Sequence, residues 1–474
     1  MSQKLDWSKF YNTIDGKLET TSQTRHGIDP ATGNAGPDVP ISTAEHVDRA
    51  ATAAHKAFAS WAQVPWAGRK KAVLAFADAL EQESDAFVQH LTKEQGKPLV
   101  FARVEIDMSI HWIREMAKFE LPEEHILEGD KEIVTRFVSL GVCVGLVPWN
   151  YPVLLAVGKI TPALISGNTM IVKPSPFTPA CGLKLVELGQ RFFPPGVLQA
   201  LSGGDDLGPL LTSHPVPAKI SFTGSTFTGK KVMESASKTL KRVTLELGGN
   251  DPALVFDDVD VDHVAPKVAG LAFLNSGQIC LALKRIFVQE SIAEEFLTAL
   301  VKATKNLKVG AGHEPDVYLG PLQNSMQYER VKGFFSDIEK EKWKVAVGGT
   351  NPDGPGYFIT PTIIDRPSET SRIVEEEPFG PIVPYLTFKD EADAVQKANN
   401  TKMGLGASVW SKDIERANRI ARRLEAGTVW VNTHFELDPR VSFGGHKESG
   451  IGAEWGLGGL KSFCNSQTLF LKRT

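Results

Sequence analysis

Two textures of apolar spacing divide the chain. Helical patterns dominate the first hundred residues: Val47, Ala51, Ala54, Phe58 and Trp61 recur at three- and four-residue steps, and Val73, Phe76 and Leu80 repeat that period. Ser84 reads as the N-cap of a third helix, which Gly96 and Pro98 stop. From about Val142 short apolar runs alternate with helical segments. The runs are Thr169–Val172, Val197–Leu201, Lys219–Thr223, Val243–Leu247 and Ala253–Phe256, then Arg285–Gln289, Ile382–Leu386 and Thr428–Asn432. Near-continuous apolar strands separated by helices predict parallel sheets covered on both faces. Before the last strand, Ile414, Ala417, Ala421 and Leu424 share a helix face that Gly427 ends. Two successive α/β units with a seam near Gly248-Gly249 follow, and ligands of such sheets sit at the carboxyl ends of strands. Val138–Gly158 approaches the length of a membrane span, but Pro148, Asn150 and Pro152 interrupt it. It reads as a buried strand, a tight loop and a buried helix start.

Composition adds bounds. At 474 residues the chain is long enough for roughly three domains. With 42% hydrophobic and 23% charged residues it has the make-up of a globular protein with a real core. Lys+Arg 52 against Asp+Glu 56 leaves −4, no excess to grip a phosphate backbone, so nucleic acid is not an expected partner. Four cysteines are too few for a disulfide scaffold and are not spaced as zinc ligands, which fits a reduced setting. MSQKLDWSKF has no apolar leader core and LKRT matches no sorting tail; a cytoplasmic protein with no membrane partner is expected.

The densest chemical signal is Asn275-Ser276-Gly277-Gln278-Ile279-Cys280. A cysteine after an apolar helix is ordinarily a small buried hydrophobe, and Cys143, Cys181 and Cys464 are read that way. Cys280 has company: Glu246 at the end of a strand, a position suited to a general base, and Asn150 in the proline-stiffened loop Pro148-Trp149-Asn150-Tyr151-Pro152. A thiolate, an amide to hold an oxyanion and a base to activate water are the parts needed for covalent oxidation of a carbonyl. Other patterns are set aside. Gly450-Ile451-Gly452 follows no clear strand and reads as a turn. Asp258, Asp260 and Asp262 lack the glycine of a calcium loop and have Ala269 where it needs Glu, so they read as a solvated segment. No G-x-S-x-G elbow and no H-E-x-x-H pair occurs, so neither a serine hydrolase nor a metal site is expected.

Five blocks together resemble the aldehyde dehydrogenase superfamily: Phe222-Thr223-Gly224-Ser225-Thr226 with Gly229, Leu245-Glu246-Leu247-Gly248-Gly249, Gly277-Gln278-Ile279-Cys280, Glu377-Pro378-Phe379-Gly380-Pro381, and Phe443-Gly444-Gly445-His446-Lys447. They stand in the family's order and spacing, from Ile28-Asp29-Pro30 onward. The resemblance implies an α/β fold of two Rossmann-like parallel-sheet domains plus a small β oligomerisation lobe. It places a cofactor-binding domain at 1–120 and 139–248, a catalytic domain at 249–455, and the lobe at 121–138 and 456–474. It implies an NAD(P)-dependent enzyme that oxidises an aldehyde to a carboxylic acid through a cysteine thioester. Cys280 would be the nucleophile, Glu246 the general base, Asn150 the oxyanion donor, and Lys159 the support of the asparagine loop. Gly224 and Gly229 would form a G-x-x-x-x-G turn at the pyrophosphate. Lys173 would hold the adenosine ribose, Glu377 the nicotinamide ribose, and Phe379 would pack at the nicotinamide end. Val147, Pro148, Trp149, Ser175, Pro176, Gly204, Gly208, Phe222, Ser225, Thr228 and Leu247 complete the expected NAD(P) site.

Departures from the family pattern carry their own expectations. Pro176 stands where many NAD-using members have a glutamate on the ribose hydroxyls, so both NAD and NADP are expected cofactors. Gly158 stands where relatives often carry a bulky aromatic, which implies a roomier tunnel mouth. Met108, Tyr151, Ile279, Leu281, Leu437 and Phe443 would supply an apolar substrate wall, and Glu436, Asp438 and Arg440 either meet a polar aldehyde or face solvent. Two alternatives stand beside the leading reading: a CoA-acylating semialdehyde dehydrogenase, against which Glu246 argues, and an inactive binding relative, against which the intact Cys280, Glu246 and Asn150 argue. The β-branched and aromatic run Ile133–Val138 and the apolar Thr468–Leu471 imply lobe strands and a homodimer or homotetramer.

Overall fold

The alternation of apolar runs and helices resolves into two sheets. The computed structural model describes residues 4–350 and 354–472; the extreme ends, Met1–Gln3 and Arg473–Thr474, which carry part of the sorting-signal reading, lie outside the described residues. The first sheet has eight strands in the order Lys17–Glu19, Asn12–Ile14, Leu198–Ala200, Thr169–Lys173, Val142–Leu146, Lys219–Thr223, Arg242–Glu246 and Gly450–Ile451. Its five central strands are parallel and its edges antiparallel. Thr169–Lys173, Val142–Leu146 and Lys219–Thr223 are buried along their whole length, as strands covered on both faces are, even though Lys219–Thr223 carries Lys219, Ser221 and Thr223 into the interior. The second sheet orders Lys344–Val347, Thr362–Asp365, Ile382–Phe388, Leu283–Gln289, Asp251–Val255, Gly406–Trp410 and Thr428–Val431, all parallel except the first.

The chain passes from the first sheet to the second between Glu246 and Asp251, at the expected seam. Gly248 and Gly249 are there because nothing larger fits. A Cβ on Gly248 would collide with the Glu377 carboxylate, and one on Gly249 with the Cys280 carbonyl. The Val138–Gly158 stretch is indeed a strand, Val142–Leu146, a loop, and the start of a helix, Pro152–Ile165, buried at every residue but Leu155. Among the described residues no helix is long and apolar enough to cross a membrane.

Several local expectations change. The first forty residues hold four short strands rather than helices: Asn12–Ile14, Lys17–Glu19, Thr24–Ile28 and Ala35–Pro40. Asp15 and Gly16, both at positive φ, join the first two, the Asp-Gly signature of a two-residue hairpin. Ser84 is the first residue of the helix Ser84–Gln95 and Glu83 its N-cap, while Gly96 ends it at φ 95°. The helix Ile414–Ala421 buries Ala417 and Ile420, with Leu424 buried just beyond it; Ile414 is exposed and Ala421 half-buried. Gly427 does not stop that helix; a Cβ there would strike the Gly444 carbonyl. Gly450–Ile451 is an edge strand against Leu245 and Glu246 rather than only a turn. In the apparent calcium loop Asp260 and Asp262 are exposed, as a solvated segment should be, but Asp260 also caps the helix Val261–Phe273, and the half-buried Asp258 binds the Asp413 N–H and pairs with Arg416 at 2.7 Å.

A third, antiparallel sheet stands apart, with Lys131–Ser139 between Glu124–Glu128 and Cys464–Lys472. Residues 456–463 belong elsewhere: Gly456–Lys461 is a helix, and Leu460 and Phe463 enter the core beside the first sheet.

Candidate active site

A cleft of about 2120 Å³ opens at the carboxyl ends of the first sheet's strands, the place where a doubly wound sheet leaves loops and helix N-termini free to meet a ligand. Fifteen of the expected cofactor residues line it: Val147, Pro148, Trp149, Asn150, Lys173, Ser175, Pro176, Gly208, Phe222, Gly224, Ser225, Thr228, Leu247, Glu377 and Phe379. The helix Thr226–Ser237 points its N-terminus at the cleft, and the Ser225 hydroxyl caps it by accepting from the Thr228 N–H at 3.2 Å. Free N–H groups and the positive end of the helix dipole make that corner attractive to phosphate. Gly229 does not line the cleft. It is a packing glycine whose absent Cβ lets the helix settle on Leu247. Gly204 is also off the wall; Asp205 takes its place there. At the far end Lys173 is buried, its ammonium pushed down to about 8 by desolvation, with Asp205 opposing that shift.

Cys280 lies at the floor of the same cleft. Asn275, Ser276 and Gly277 before it are all left-handed (φ 51°, 57° and 71°), a conformation costing roughly 1–2 kcal/mol for each non-glycine residue. Tertiary bonds hold them there: Ser276 Oγ donates to Gly320 O at 2.6 Å, and Gln278 Oε1 accepts the Gln323 N–H at 2.8 Å. Burial pushes the Cys280 thiol up to about 12; Lys284 opposes this, while Glu377, Asp251 and Glu246 add to it. The Asn150 amide donates to Gln278 O at 3.0 Å, which anchors it two residues from the sulfur's own residue.

The asparagine loop is held by a different lysine from the expected one. Lys97 Nζ donates to Asn150 O at 2.9 Å, pairs with Glu105, and sits 3.7 Å from the Tyr151 ring centroid. Glu105 Oε1 in turn accepts the N–H groups of Val153 and Leu154 at 2.9 and 3.2 Å, so one carboxylate caps the helix that follows the loop. Both side chains are fully buried. Lys159 instead donates to Thr223 Oγ1 at 2.7 Å and pairs with Glu454, which also accepts from Ser221 Oγ at 2.9 Å. That pair flanks Glu246, whose two oxygens are buried without a hydrogen-bond partner. Desolvation, then repulsion from Glu454, raises the Glu246 carboxyl well above its ordinary range, against the pull of Lys159.

The sequence profile of the aldehyde dehydrogenase family matches residues 18–469. Aldehyde dehydrogenase LUC3 of Fusarium sp is 40% identical over 98% of this chain and 100% of its own length. Phenylacetaldehyde dehydrogenase of Pseudomonas fluorescens is 36% identical over 95% of this chain and 93% of its own. Among solved structures, an NAD+ complex of aldehyde dehydrogenase from Bacillus cereus matches with a TM-score of 0.96 and 32% identity, covering 98% of this chain and 97% of that one. The chain belongs to the aldehyde dehydrogenase family. It is an NAD(P)-dependent oxidoreductase that converts aldehydes to carboxylic acids.

The expected substrate residues of this aldehyde dehydrogenase fall into two groups. Met108, Tyr151 and Leu437 are partly buried apolar groups around the core that also carries Cys280. Ile279, Leu281 and Phe443 are buried. Gly158 does not open the tunnel mouth: the Trp455 indole nitrogen lies 3.0 Å from where its Cβ would be, and that ring stacks on Phe443 at 4.7 Å. Asp438 is closed on Arg440, which holds its carboxyl down to about 2, and Glu436 accepts from Thr433 Oγ1 at 2.7 Å.

Sequence reading missed Lys97, Glu105, Lys284, Glu454 and Trp455. Glu105 had a visible signal, a lone acid among the apolar Ala102, Ile106 and Ile113 on the buried face of the helix Leu99–Met116. Lys284 had one too, a cation inside the buried strand Leu283–Gln289. Removing one partner of a buried pair strands the other's charge, at about 3–5 kcal/mol. Lys97→Met is therefore expected to lower unfolding free energy in urea by that amount, and a loss under 1 kcal/mol would remove the pair from its supporting role.

Proposed function

We propose that Cys280 is the nucleophile, Asn150 the oxyanion donor and Glu246 the general base of this aldehyde dehydrogenase. The observation that supports the reading best is that Asn150 and Cys280 share the cleft, while Glu246, buried at the end of the strand before the cleft residue Leu247, keeps both oxygens without a hydrogen-bond partner. The sulfur adds to the aldehyde carbon, forming a C–S bond and an oxyanion. The Asn150 amide and the Cys280 backbone N–H take that oxyanion. When bound, NAD(P)+ supplies the hydride acceptor that turns the adduct into a thioester. Glu246 takes a proton from water, the water attacks the thioester carbon, and the C–S bond breaks to give the acid and the free thiol. A partnerless buried carboxyl with a raised pKa suits that task.

The cleft suits the coenzyme through its own residues. The capped helix N-terminus with Gly224 would face the pyrophosphate, Lys173 the adenosine ribose, Glu377 the nicotinamide ribose, and Phe379, packed edge-on to Trp149 at 5.3 Å, the nicotinamide end. Transfer of the acyl group to coenzyme A is the second reading, and Glu246 argues against it, because a thiol acceptor needs no water-activating base. The first sheet with its helices would be the cofactor domain and the second sheet the catalytic one. The small sheet would pair copies of the chain through Ile126, Leu127, Phe470 and Leu471, which are exposed. A homodimer or homotetramer in the cytoplasm follows, and a monodisperse monomer in light scattering would refute the assembly.

Cys280→Ser is expected to abolish oxidation. Glu246→Gln is expected to keep a burst of NAD(P)H while steady turnover falls at least a hundredfold, in keeping with the worth of a general base, about 10²–10⁴. Equal slowing of burst and steady state would count against Glu246 as the base of hydrolysis. Pro176 takes away the carboxylate that a glutamate at that position would turn on a 2′-phosphate, leaving Asp205 near Lys173 on the same wall, so Pro176→Glu is expected to raise KM for NADP far more than for NAD, and equal changes would contradict relaxed cofactor choice.

A further inference from the structure

The Glu377 carboxylate faces two claims at once. Its Oε1 accepts the Gly249 N–H at 3.2 Å and pairs with Lys284 Nζ at 3.0 Å, while the same residue forms part of the cleft wall. Lys284 is 3% exposed and its ammonium also donates to the carbonyl oxygen of Cys280, four residues back along the chain. One buried cation therefore bridges the nucleophile's own peptide group and the carboxylate at the coenzyme wall. We propose that Lys284 is a positioning residue that couples occupancy at Glu377 to the state of the Cys280 sulfur. The proposal rests on the assignment of Cys280 and Glu377 given above.

The physical argument is one of shared charge. With Glu377 turned inward, Lys284 is neutralised and its pull on the sulfur is offset. A pair of ribose hydroxyls that draws the carboxylate toward the cleft leaves Lys284 with the Cys280 carbonyl and the buried Asp251, whose own carboxyl burial pushes up to about 7, and a cation less fully neutralised in a desolvated setting favours a nearby thiolate. The charged groups acting on the sulfur are few. Glu377, Asp251 and Glu246 disfavour its ionisation, and Lys284 favours it. His434, whose Nε2 meets the Leu281 carbonyl at 2.6 Å, is pushed down to about 3 by burial and stays neutral. Lys284 is thus the cation through which coenzyme arrival reaches the sulfur, and it makes the thiol more reactive when the coenzyme site is filled.

The test needs neither aldehyde nor coenzyme. The rate of alkylation by iodoacetamide is followed against pH, with the adduct located on Cys280 by mass spectrometry, because Cys464 is half-buried while Cys143 and Cys181 are buried. Lys284→Met is expected to move the midpoint upward and slow alkylation at fixed pH about tenfold, the factor that one pKa unit carries. Lys284→Arg is expected to recover most of that loss. Glu377→Gln frees Lys284 of its counter-ion and is expected to move the midpoint downward, accelerating alkylation. A Lys284→Met profile that superimposes on the parent, or Glu377→Gln shifting the same way as Lys284→Met, overturns the proposal. If circular dichroism shows Lys284→Met unfolded, Glu377→Gln decides alone, and no downward shift overturns it. Failure of Cys280→Ser to abolish turnover would instead overturn the underlying assignment, so the two outcomes are separable.

Discussion

The buried Lys97–Glu105 pair is the interaction on which the site's geometry rests. It joins three pieces of chain that no sheet hydrogen bond connects: the end of one helix, the middle of the next, and the loop that carries Asn150. Taking both charges out of water is costly, and only good geometry with added hydrogen bonds repays it. Here the added bonds are the Asn150 carbonyl and two helix N–H groups, so the same atoms that settle the desolvation cost fix the loop. An apolar pair of similar volume could fill the space, but it could not orient a carbonyl.

The same device recurs around the proposed reacting centre. Lys159 with Glu454 stands behind Glu246, and Lys284 with Glu377 stands behind Cys280. Each pair leaves the residue proposed to react without a strong partner. Glu246 keeps two oxygens with no hydrogen-bond partner, and burial holds Cys280 as a thiol. The charges sit on the supports and the proposed reacting groups stay available, a pattern consistent with the clustering of shifted titration at functional sites.

Glycine and backbone strain supply the closeness this arrangement requires. Gly248, Gly249 and Gly277 each occupy a point where a Cβ would strike a carboxylate or a carbonyl of the site. The left-handed run Asn275–Gly277 costs conformational energy that the Ser276 and Gln278 hydrogen bonds offset. Trp455, itself at φ 59°, carries its indole into the space that Gly158 leaves, so a residue from the far end of the chain closes the space beside that helix.

Much was legible before any fold was seen. Most strands of both sheets follow from apolar runs because a strand covered on two faces must be mostly apolar, and the polar side chains it does bury, such as Lys219 and Lys284, find partners. The seam at Gly248-Gly249, the cleft residues and the trio Cys280, Glu246 and Asn150 lie in short motifs whose chemistry is local. The early edge strands escaped because three-residue strands carry too little period to register, although Asp15-Gly16 announced their turn. The partnerships escaped for a different reason. Lys159 and Lys97 look alike as letters, and which one meets Asn150 depends on where two helices cross. The roomier mouth expected at Gly158 was undone by a tryptophan nearly three hundred residues away. Sequence determined which groups are present and the local structure that carries them; only the tertiary structure decided which buried charge neutralises which, because in a desolvated interior the partner, not the residue, sets the energy.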